Sequence, residues 1–506
     1  MTAASLMLVS MLAAAPPMEA DIRAVAALAG EPHIVSAAAV TRDESPVLTI
    51  ENSSAFDPED GRRRVVLVGG PGGDAHAVID AVRWFKTRAP RALRQRWVLS
   101  ALPLAAFDEA DTLSLTRWIT FQAPDFVVTV GSIALQLDAP TEAIAVPDAT
   151  AAFAKLLALP RERSRLHTTL RARVQRDPLA IARLLARRYP EAPSISYIPA
   201  LAWVETLHLA TVVKDDSLRE KVVAQTKPWV DGDRKLFGDR IQLTAVAGTM
   251  VFDELRDIAL ARRSSPDESA SEGRLFDEGA AAAAKEKTPA EPEYGQGWTD
   301  DMFMAASVLA RSGARPGRER DMDAAARLLA TYATRLQQPN GLFNHAINGP
   351  AAWGRGNGFA ALGLVETLTR MPAGHRSRAR LLDIYRRQMA GVRANQAPDG
   401  AWRQIIDEPG AYREETATAM LLSAMARGIR LGWLDGSYRP SVDRAWRALA
   451  AHVAEDGTLI DVCTGTGAGP TRRYYFDRPA VTGADDRGGA MGLLAAMEME
   501  ESRIRK

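Results

Sequence analysis

The chain has 506 residues, with 63 Lys and Arg against 62 Asp and Glu, so its formal net charge is +1. That balance excludes the basic excess that nucleic-acid binding needs. A single cysteine, Cys463, excludes a disulfide framework, and seven scattered histidines, no two within five positions, exclude an HxxxH metal helix, so no metal or cofactor is expected.

In chain order, the first feature is an apolar run of 11 residues, Ser5 to Ala15. It is too short to span a bilayer and fits the core of a signal peptide ending in Ala13-Ala14-Ala15. No Lys or Arg precedes Arg23, which leaves a buried N-terminal helix as the other reading. Residues 1–20 are therefore set aside as a signal peptide, with a periplasmic or secreted location expected and a cytoplasmic one as the alternative.

Residues 21–175 read as α/β. Arg64 to Val68 is a short apolar run that ends in Gly69-Gly70-Pro71-Gly72-Gly73, and an amphipathic stretch, His76 to Lys86, follows. Arg96 to Leu104 and Phe126 to Val130 are further strand candidates. Strands that alternate with helical patterns predict a small, mostly parallel sheet.

From residue 176 onward helical patterns dominate. Residues 261–295 interrupt them with a polar, alanine-rich, low-complexity stretch that reads as a long surface loop or a disordered insertion. The helical part repeats. Asn340-Gly341, Asp399-Gly400 and Asp456-Gly457 mark tight turns whose glycines lie 59 and then 57 residues apart. After each turn come a polar, aromatic segment and a helix rich in small residues, such as Ala360-Ala361-Leu362-Gly363. A period near 58 fits two helices and two connections. Close packing of small-residue helices suits the inner layer of a closed α/α toroid, and an open helical solenoid is the alternative.

Polar and aromatic residues cluster where the proposed inner helices begin. The clusters are Trp298-Thr299-Asp300-Asp301, Trp353-Gly354-Arg355-Gly356-Asn357, Tyr412-Arg413-Glu414-Glu415-Thr416 and Asp485-Asp486-Arg487. In a toroid these starts converge on one mouth, lined by carboxylates, arginines and tryptophans. Flat aromatic faces with charged hydrogen-bonding groups suit a carbohydrate, and arginine adds a two-point grip on a carboxylate. Each residue alone has a plainer role: Asp300 as a helix-start acid, the tryptophans as core, His345 as a structural histidine. Their shared place in the repeat favours the functional reading.

Gly297-Trp298-Thr299-Asp300-Asp301-Met302-Phe303-Met304 closely resembles a signature of glycoside hydrolase family 105, the unsaturated rhamnogalacturonyl hydrolases, related to the family 88 unsaturated glucuronyl hydrolases. His345 followed by Trp353-Gly354-Arg355-Gly356-Asn357-Gly358 is similar to a second signature. Tyr412 to Met420, and Gly465-Thr466-Gly467 through Asp486-Arg487-Gly488, resemble further stretches. The resemblance covers about residues 178–506. It implies an (α/α)6 barrel that acts on oligosaccharides ending in a 4,5-unsaturated uronic acid. The enzyme hydrates the C4–C5 bond, after which the sugar opens and leaves. By the same resemblance Asp300 is the general acid and base and Asp239 a second carboxylate. Trp298, His345, Trp353, Arg355, Asn357, Glu414 and Thr416 would surround the sugar. An unsaturated galacturonyl end is the first expectation, a glucuronyl end the second, and a carbohydrate-binding toroid without catalysis the third. A burial-raised pKa would suit a carboxyl that donates a proton near neutrality. Asp301 is the poorer candidate because adjacent helix residues do not share a face.

Leu67 to Ala75 faintly resembles the strand and loop of zinc carboxypeptidases. The ligand positions of that loop read Gly72 and Ala75 here, so the resemblance implies a degenerate, non-catalytic domain without zinc.

Overall fold

The structure is a computed structural model that describes residues 17–70, 75–103, 109–131, 137–262 and 266–504. The chain forms two compact units. Of the described residues, one gathers those up to Thr41, Ser45–Ser53 and Arg62–Ser164; the other gathers Arg42–Glu44, Ser54–Gly61 and those from Arg165 onward. The long continuous part of the second unit starts at Arg165, where the sequence places the change near residue 176. The apolar run 5–15 and Gly72 lie outside the described residues.

The first unit is built on a six-stranded sheet with strand order β1-β2-β4-β3-β5-β6. Its elements are α1 (Pro17–Ala27), β1 (Ile34–Val40), β2 (Pro46–Glu51), β3 (Arg63–Gly69), α2 (Ala75–Thr87), α3 (Arg91–Arg96), β4 (Trp97–Leu102), α4 (Glu109–Phe121), β5 (Phe126–Val130), β6 (Thr141–Ile144) and α5 (Ala149–Ala158). β3 pairs in parallel with β4 and β5, and β5 with β6, whereas β1–β2 and β2–β4 are antiparallel. β3 reads as an unbroken run, Val65-Val66-Leu67-Val68, because both faces of a central parallel strand are covered. Val65 and Leu67 pack with Val78, Val82 and Phe85 of α2, while Val66 and Val68 pack with Leu115, Trp118 and Ile119 of α4. Ala75, at a position where the carboxypeptidase loop needs a ligand, opens α2.

The second unit is helical: α6 (Arg165–Val174), α7 (Pro178–Arg188), α8 (Tyr197–Val213), α9 (Asp216–Val230), α10 (Leu243–Gly248), α11 (Met250–Arg262), α12 (Pro266–Ala283), α13 (Thr299–Gly313), α14 (Glu319–Leu336), α15 (Gly354–Arg370), α16 (Arg378–Ala394), α17 (Glu415–Arg430), α18 (Arg439–His452), α19 (Arg472–Phe476) and α20 (Asp486–Ile504). α8, the broken pair α10–α11, α13, α15, α17 and α20 form an inner ring, each packed on the next, and α20 returns to α8. α7, α9, α12, α14, α16 and α18 lie outside. This is the (α/α)6 toroid.

The two layers follow from composition. α14 is amphipathic: Met322, Ala325, Ala326, Leu329, Ala333 and Leu336 are buried at helical spacing. α13 is buried on every side. Inner helices approach closely through glycine; a Cβ on Gly363 of α15 would stand 2.3 Å from the Met302 carbonyl oxygen of α13. The repeated turns are one device used three times. Gly341, Gly400 and Gly457 have φ of +90°, +104° and +83°, a region costly for other residues. In each turn the preceding Asn340, Asp399 or Asp456 accepts a backbone N–H two residues on, at 2.9–3.1 Å.

The 261–295 stretch is not a loop. Most of it is α12, whose Leu275, Phe276, Ala280 and Ala283 enter the barrel core. Its alanines, read as low complexity, are strong helix formers, and their small size seats the helix against α11 and α13. A short hairpin, β7 (Leu459–Cys463) with β8 (Ala480–Gly483), brings residues 464–479 to the mouth where the inner helices begin.

Candidate active site

Six inner-helix N-termini point to one end of the toroid, starting at Tyr197, Leu243, Thr299, Gly354, Glu415 and Asp486. There a pocket of about 350 Å³ opens, lined among others by Tyr197, Thr244, Tyr294, Trp298, Asp300 and Thr466. Unpaired backbone N–H groups and aligned helix dipoles favour negative charge at such an end.

Asp300 lies in the first turn of α13, 7% exposed. Its Oδ2 is 3.3 Å from His345 Nε2, an ion-pair distance short of a well-formed hydrogen bond; both atoms are buried without another polar partner. His345 Nδ1 lies 2.9 Å from the Tyr475 hydroxyl. The imidazole is flanked by Trp298 (ring centroids 5.3 Å apart) and Trp353 (4.4 Å). The Thr299 N–H donates to the His345 carbonyl at 2.9 Å, which ties this segment to the start of α13. Asp300, Trp298, His345 and Trp353 thus gather as the sequence led one to expect.

Asp301 also borders the pocket, and its role is different. Oδ2 accepts the N–H groups of Gln296, Gly297 and Trp298 and the Tyr332 hydroxyl, at 2.7–3.2 Å. Burial pushes this carboxyl up to about 7, with the Asp300 charge adding to the rise and the donors opposing it. It fastens the turn that presents Trp298.

Four expected site residues lie apart from the Asp300–His345 pair or are bonded within the wall. Asp239 is exposed; Arg240 and Ile241, not Asp239, enter the pocket wall, and the carboxylate beside Asp300 is Asp301. Asn357 is fully buried. It accepts from the Phe343 N–H at 2.8 Å and donates to the carbonyls of Phe343 and Trp353. Glu414 caps α17 through the N–H groups of Thr416 and Ala417, accepts the Thr416 hydroxyl, and takes the Cys463 N–H at 2.9 Å. Asn357 and Glu414 are held by backbone groups and the Thr416 hydroxyl by the Glu414 carboxylate, so all three frame the wall.

Arg355 is intermediate. Its guanidinium lies 4.9 Å from the Trp353 ring, and its two Nη atoms donate to the carbonyls of Cys463 and Thr464 at 2.6 and 2.7 Å. It braces the hairpin that carries Thr466. Burial works against its charge, but Cys463, Glu414, Tyr197 and Asp300 outweigh that and raise its pKa.

Sequence reasoning missed Tyr197 and Tyr475. Tyr197 lines the pocket from α8, and burial together with the Asp300 charge lifts its hydroxyl to about 12. α8 precedes the repeats, so their phase gave no pointer to it. Tyr475 sits within a stretch matched only as a whole. Arg487, held by Asp485 at 2.9 Å, acts electrostatically on both Tyr197 and Arg355.

The glycosyl hydrolase family 88 model matches residues 267–503. An unsaturated rhamnogalacturonyl hydrolase of Bacillus subtilis is 30% identical over 192 residues, 36% of this chain and 54% of that protein. An unsaturated 3S-rhamnoglycuronyl hydrolase of an Alteromonas species is 31% identical over 113 residues, 22% of this chain and 27% of the relative. Protein Atu3128 of Agrobacterium fabrum is 34% identical over 167 residues, 29% of this chain and 70% of its own length. The alignment thus spans about half the length of the Bacillus relative, and less of the Alteromonas one. Among solved structures, a possible GH105 member from Salmonella enterica superposes with a TM-score of 0.55 at 18% identity, covering 69% of this chain and 97% of its own. A family 105 glycoside hydrolase of C. acetobutylicum superposes with the same score at 19% identity, covering 63% and 99%. At these identities the superpositions speak for the fold.

Proposed function

Since the chain belongs to the family 88 and 105 glycoside hydrolases, we propose that it removes a terminal 4,5-unsaturated uronic acid from oligosaccharides left by polysaccharide lyases. The observation that carries the reading is Asp300, a carboxyl at the pocket wall whose Oδ2 lies beside the imidazole of His345 and, among the described residues, makes no hydrogen bond.

Asp300, protonated, gives its proton to C4. The resulting carboxylate takes a proton from water as the hydroxyl adds to C5. The product is a hemiketal at C5, which opens to a ketone. C1, freed from the ring, then releases the second sugar and becomes an aldehyde. The net change is addition of one water, and the acid returns to its starting state. A site at the positive ends of six helices suits a substrate that carries a carboxylate. Trp298 and Tyr197 offer flat surfaces to the sugar ring.

The relatives named for rhamnogalacturonyl and 3S-rhamnoglycuronyl hydrolysis support an unsaturated galacturonyl end as the leading substrate and a glucuronyl end as the second. The conjugated alkene–carboxylate absorbs in the ultraviolet, and hydration abolishes it. The test is absorbance loss on a panel of lyase-generated disaccharides from rhamnogalacturonan, ulvan and glycosaminoglycans. Loss on the rhamnogalacturonan member first is expected, and no loss on any member would sink the proposal.

A further inference from the structure

Resting on the acid–base reading of Asp300, we infer that Tyr475 is a positioning residue: it fixes His345 as the tautomer protonated at Nε2 and so divides the work between the two oxygens of Asp300.

The inference comes from following donors and acceptors. Tyr475 and His345 are both fully buried. The Tyr475 hydroxyl oxygen already accepts the Gly469 N–H, at 3.2 Å, and its second polar neighbour is His345 Nδ1, at 2.9 Å. A phenol oxygen conjugates one lone pair into its ring, which leaves little capacity for a second donor. The hydroxyl proton therefore points at Nδ1, and Nδ1 is the acceptor. A neutral imidazole with Nδ1 unprotonated carries its hydrogen on Nε2, the nitrogen 3.3 Å from Asp300 Oδ2.

The opposite tautomer is worse at both ends. The phenol oxygen would face two N–H donors, and its own proton would lose its acceptor. Once Asp300 has given up its proton, the Nε2 lone pair would face a carboxylate oxygen inside a buried site, where repulsion is weakly screened. Rotation of the ring offers no escape. Trp298 and Trp353 hold its faces, and the backbone of His345 is fastened by its N–H to Ala351 and by its carbonyl to Thr299, both at 2.9 Å.

The consequence concerns Asp300. Nε2–H engages Oδ2, so Oδ1 is the oxygen that carries the reacting proton to C4 and then receives one from water. The same N–H supports the carboxylate in the interval between the two transfers. The 3.3 Å contact is expected to shorten when substrate binds, as catalytic hydrogen bonds commonly do.

Nitrogen-15 NMR of the histidine-labelled full chain reads the tautomer directly, with the His345 signals identified by their loss in His345→Gln. In the wild-type protein the expected result is a protonated Nε2 and a bare Nδ1. Tyr475→Phe keeps the packed ring and removes only the hydroxyl. It should lose that signature and lower kcat roughly 10–100-fold, with KM within about threefold of wild type. A protonated Nδ1 in the wild-type spectrum overturns the inference, as does a Tyr475→Phe enzyme with unchanged kcat. The spectrum needs no substrate. A protein with the expected tautomer that hydrates no unsaturated uronide would sink the functional reading and leave the tautomer assignment standing.

Discussion

The two ends of the toroid are made from the same six inner helices and are opposites in chemistry. At the end where the helices begin, Asp300 and His345 face each other with polar atoms left unpaired, beside an open pocket. At the end where they finish, charges are knitted together. Arg311 of α13 reaches Asp253 and Glu254 of α11, and His208 of α8 lies between Glu205 and Glu254. Arg427 of α17 bridges Glu366 of α15 and Glu498 of α20, and Arg430 joins Glu498 to Glu501. Helix C-termini carry partial negative charge, so arginines suit this end as an anionic sugar suits the other. The far end pairs most of these charges with one another around a second pocket of about 180 Å³, whereas Asp300 Oδ2 and His345 Nε2 have no further polar partner.

The comparison breaks most visibly at Asp300. Asp300→Asn should lose on the order of 10³-fold or more in kcat on an unsaturated rhamnogalacturonan disaccharide, since the amide cannot shuttle the proton. Its melting temperature should stay close to wild type, because no well-formed hydrogen bond is lost. A variant with full turnover would remove Asp300 from the chemistry.

At the opposite end the expected effect is on stability. Arg427→Met removes the cation that Glu366 and Glu498 share and leaves them only Arg370 and Arg430, a loss of about 3 kcal/mol. Urea unfolding should show the loss, while kcat per folded molecule is kept. A turnover defect as large as that of Asp300→Asn would mean that the two ends are not separate in function.

Asp301→Asn falls between. Its carboxylate takes four donors at one oxygen, so the substitution should cost about 1–3 kcal/mol and loosen the turn under Trp298. The expected kinetic sign is a raised KM with a small change in kcat. A kcat loss like that of Asp300→Asn, with KM unchanged, would make Asp301 a partner in proton transfer.

The smallest effect is the response to pH. Burial alone would lower the His208 pKa, but Glu205 and Glu254 outweigh it and bring it to about 10. An unfolded histidine titrates near 6.5. The stabilisation from His208 is thus complete below pH 6.5 and is lost as pH rises from there through 10. Its side chain is 37% exposed, so solvent screening keeps the gain modest. Melting temperature should decline gently over that window, and His208→Gln should flatten the decline. An unchanged slope in the variant would assign the decline to other groups.

Much of this was legible in the sequence, for identifiable reasons. The Asn/Asp-Gly turns mark every outer-to-inner connection they touch, because positive φ confines the position to glycine. Asp300 and Trp298 were found because four clusters share a phase in the repeat. That same phase also picks out Asn357, Glu414 and Thr416, whose polar atoms bond within the protein. The segments at the mouth must also be held, and the residues that hold them occupy equivalent positions. Type alone does not separate a polar group that binds a ligand from one that binds the backbone; only the donor and acceptor count does. Tyr475 lies 130 residues from His345, and Asp253 lies 58 from Arg311. Such pairs are set by ring closure and leave no local pattern. α12 was misread because a stretch of alanine, glutamate and serine resembles a disordered segment until something packs against it.

The contact between α20 and α8 has a consequence for how the protein comes into being. Five inner helices can stack as they are synthesised, each on its predecessor, but they make only an arc. The seam closes when α20 meets α8, made roughly 270 residues earlier. For an unstructured chain that length carries a closure entropy of about 5 kcal/mol. Stepwise stacking lowers it by bringing the two edges near each other beforehand. Until then the apolar flanks of α8 and α17 are exposed on an unfinished edge, and Asp485 and Arg487 have not reached Tyr197. The mouth is complete only once α20 is in place against α8.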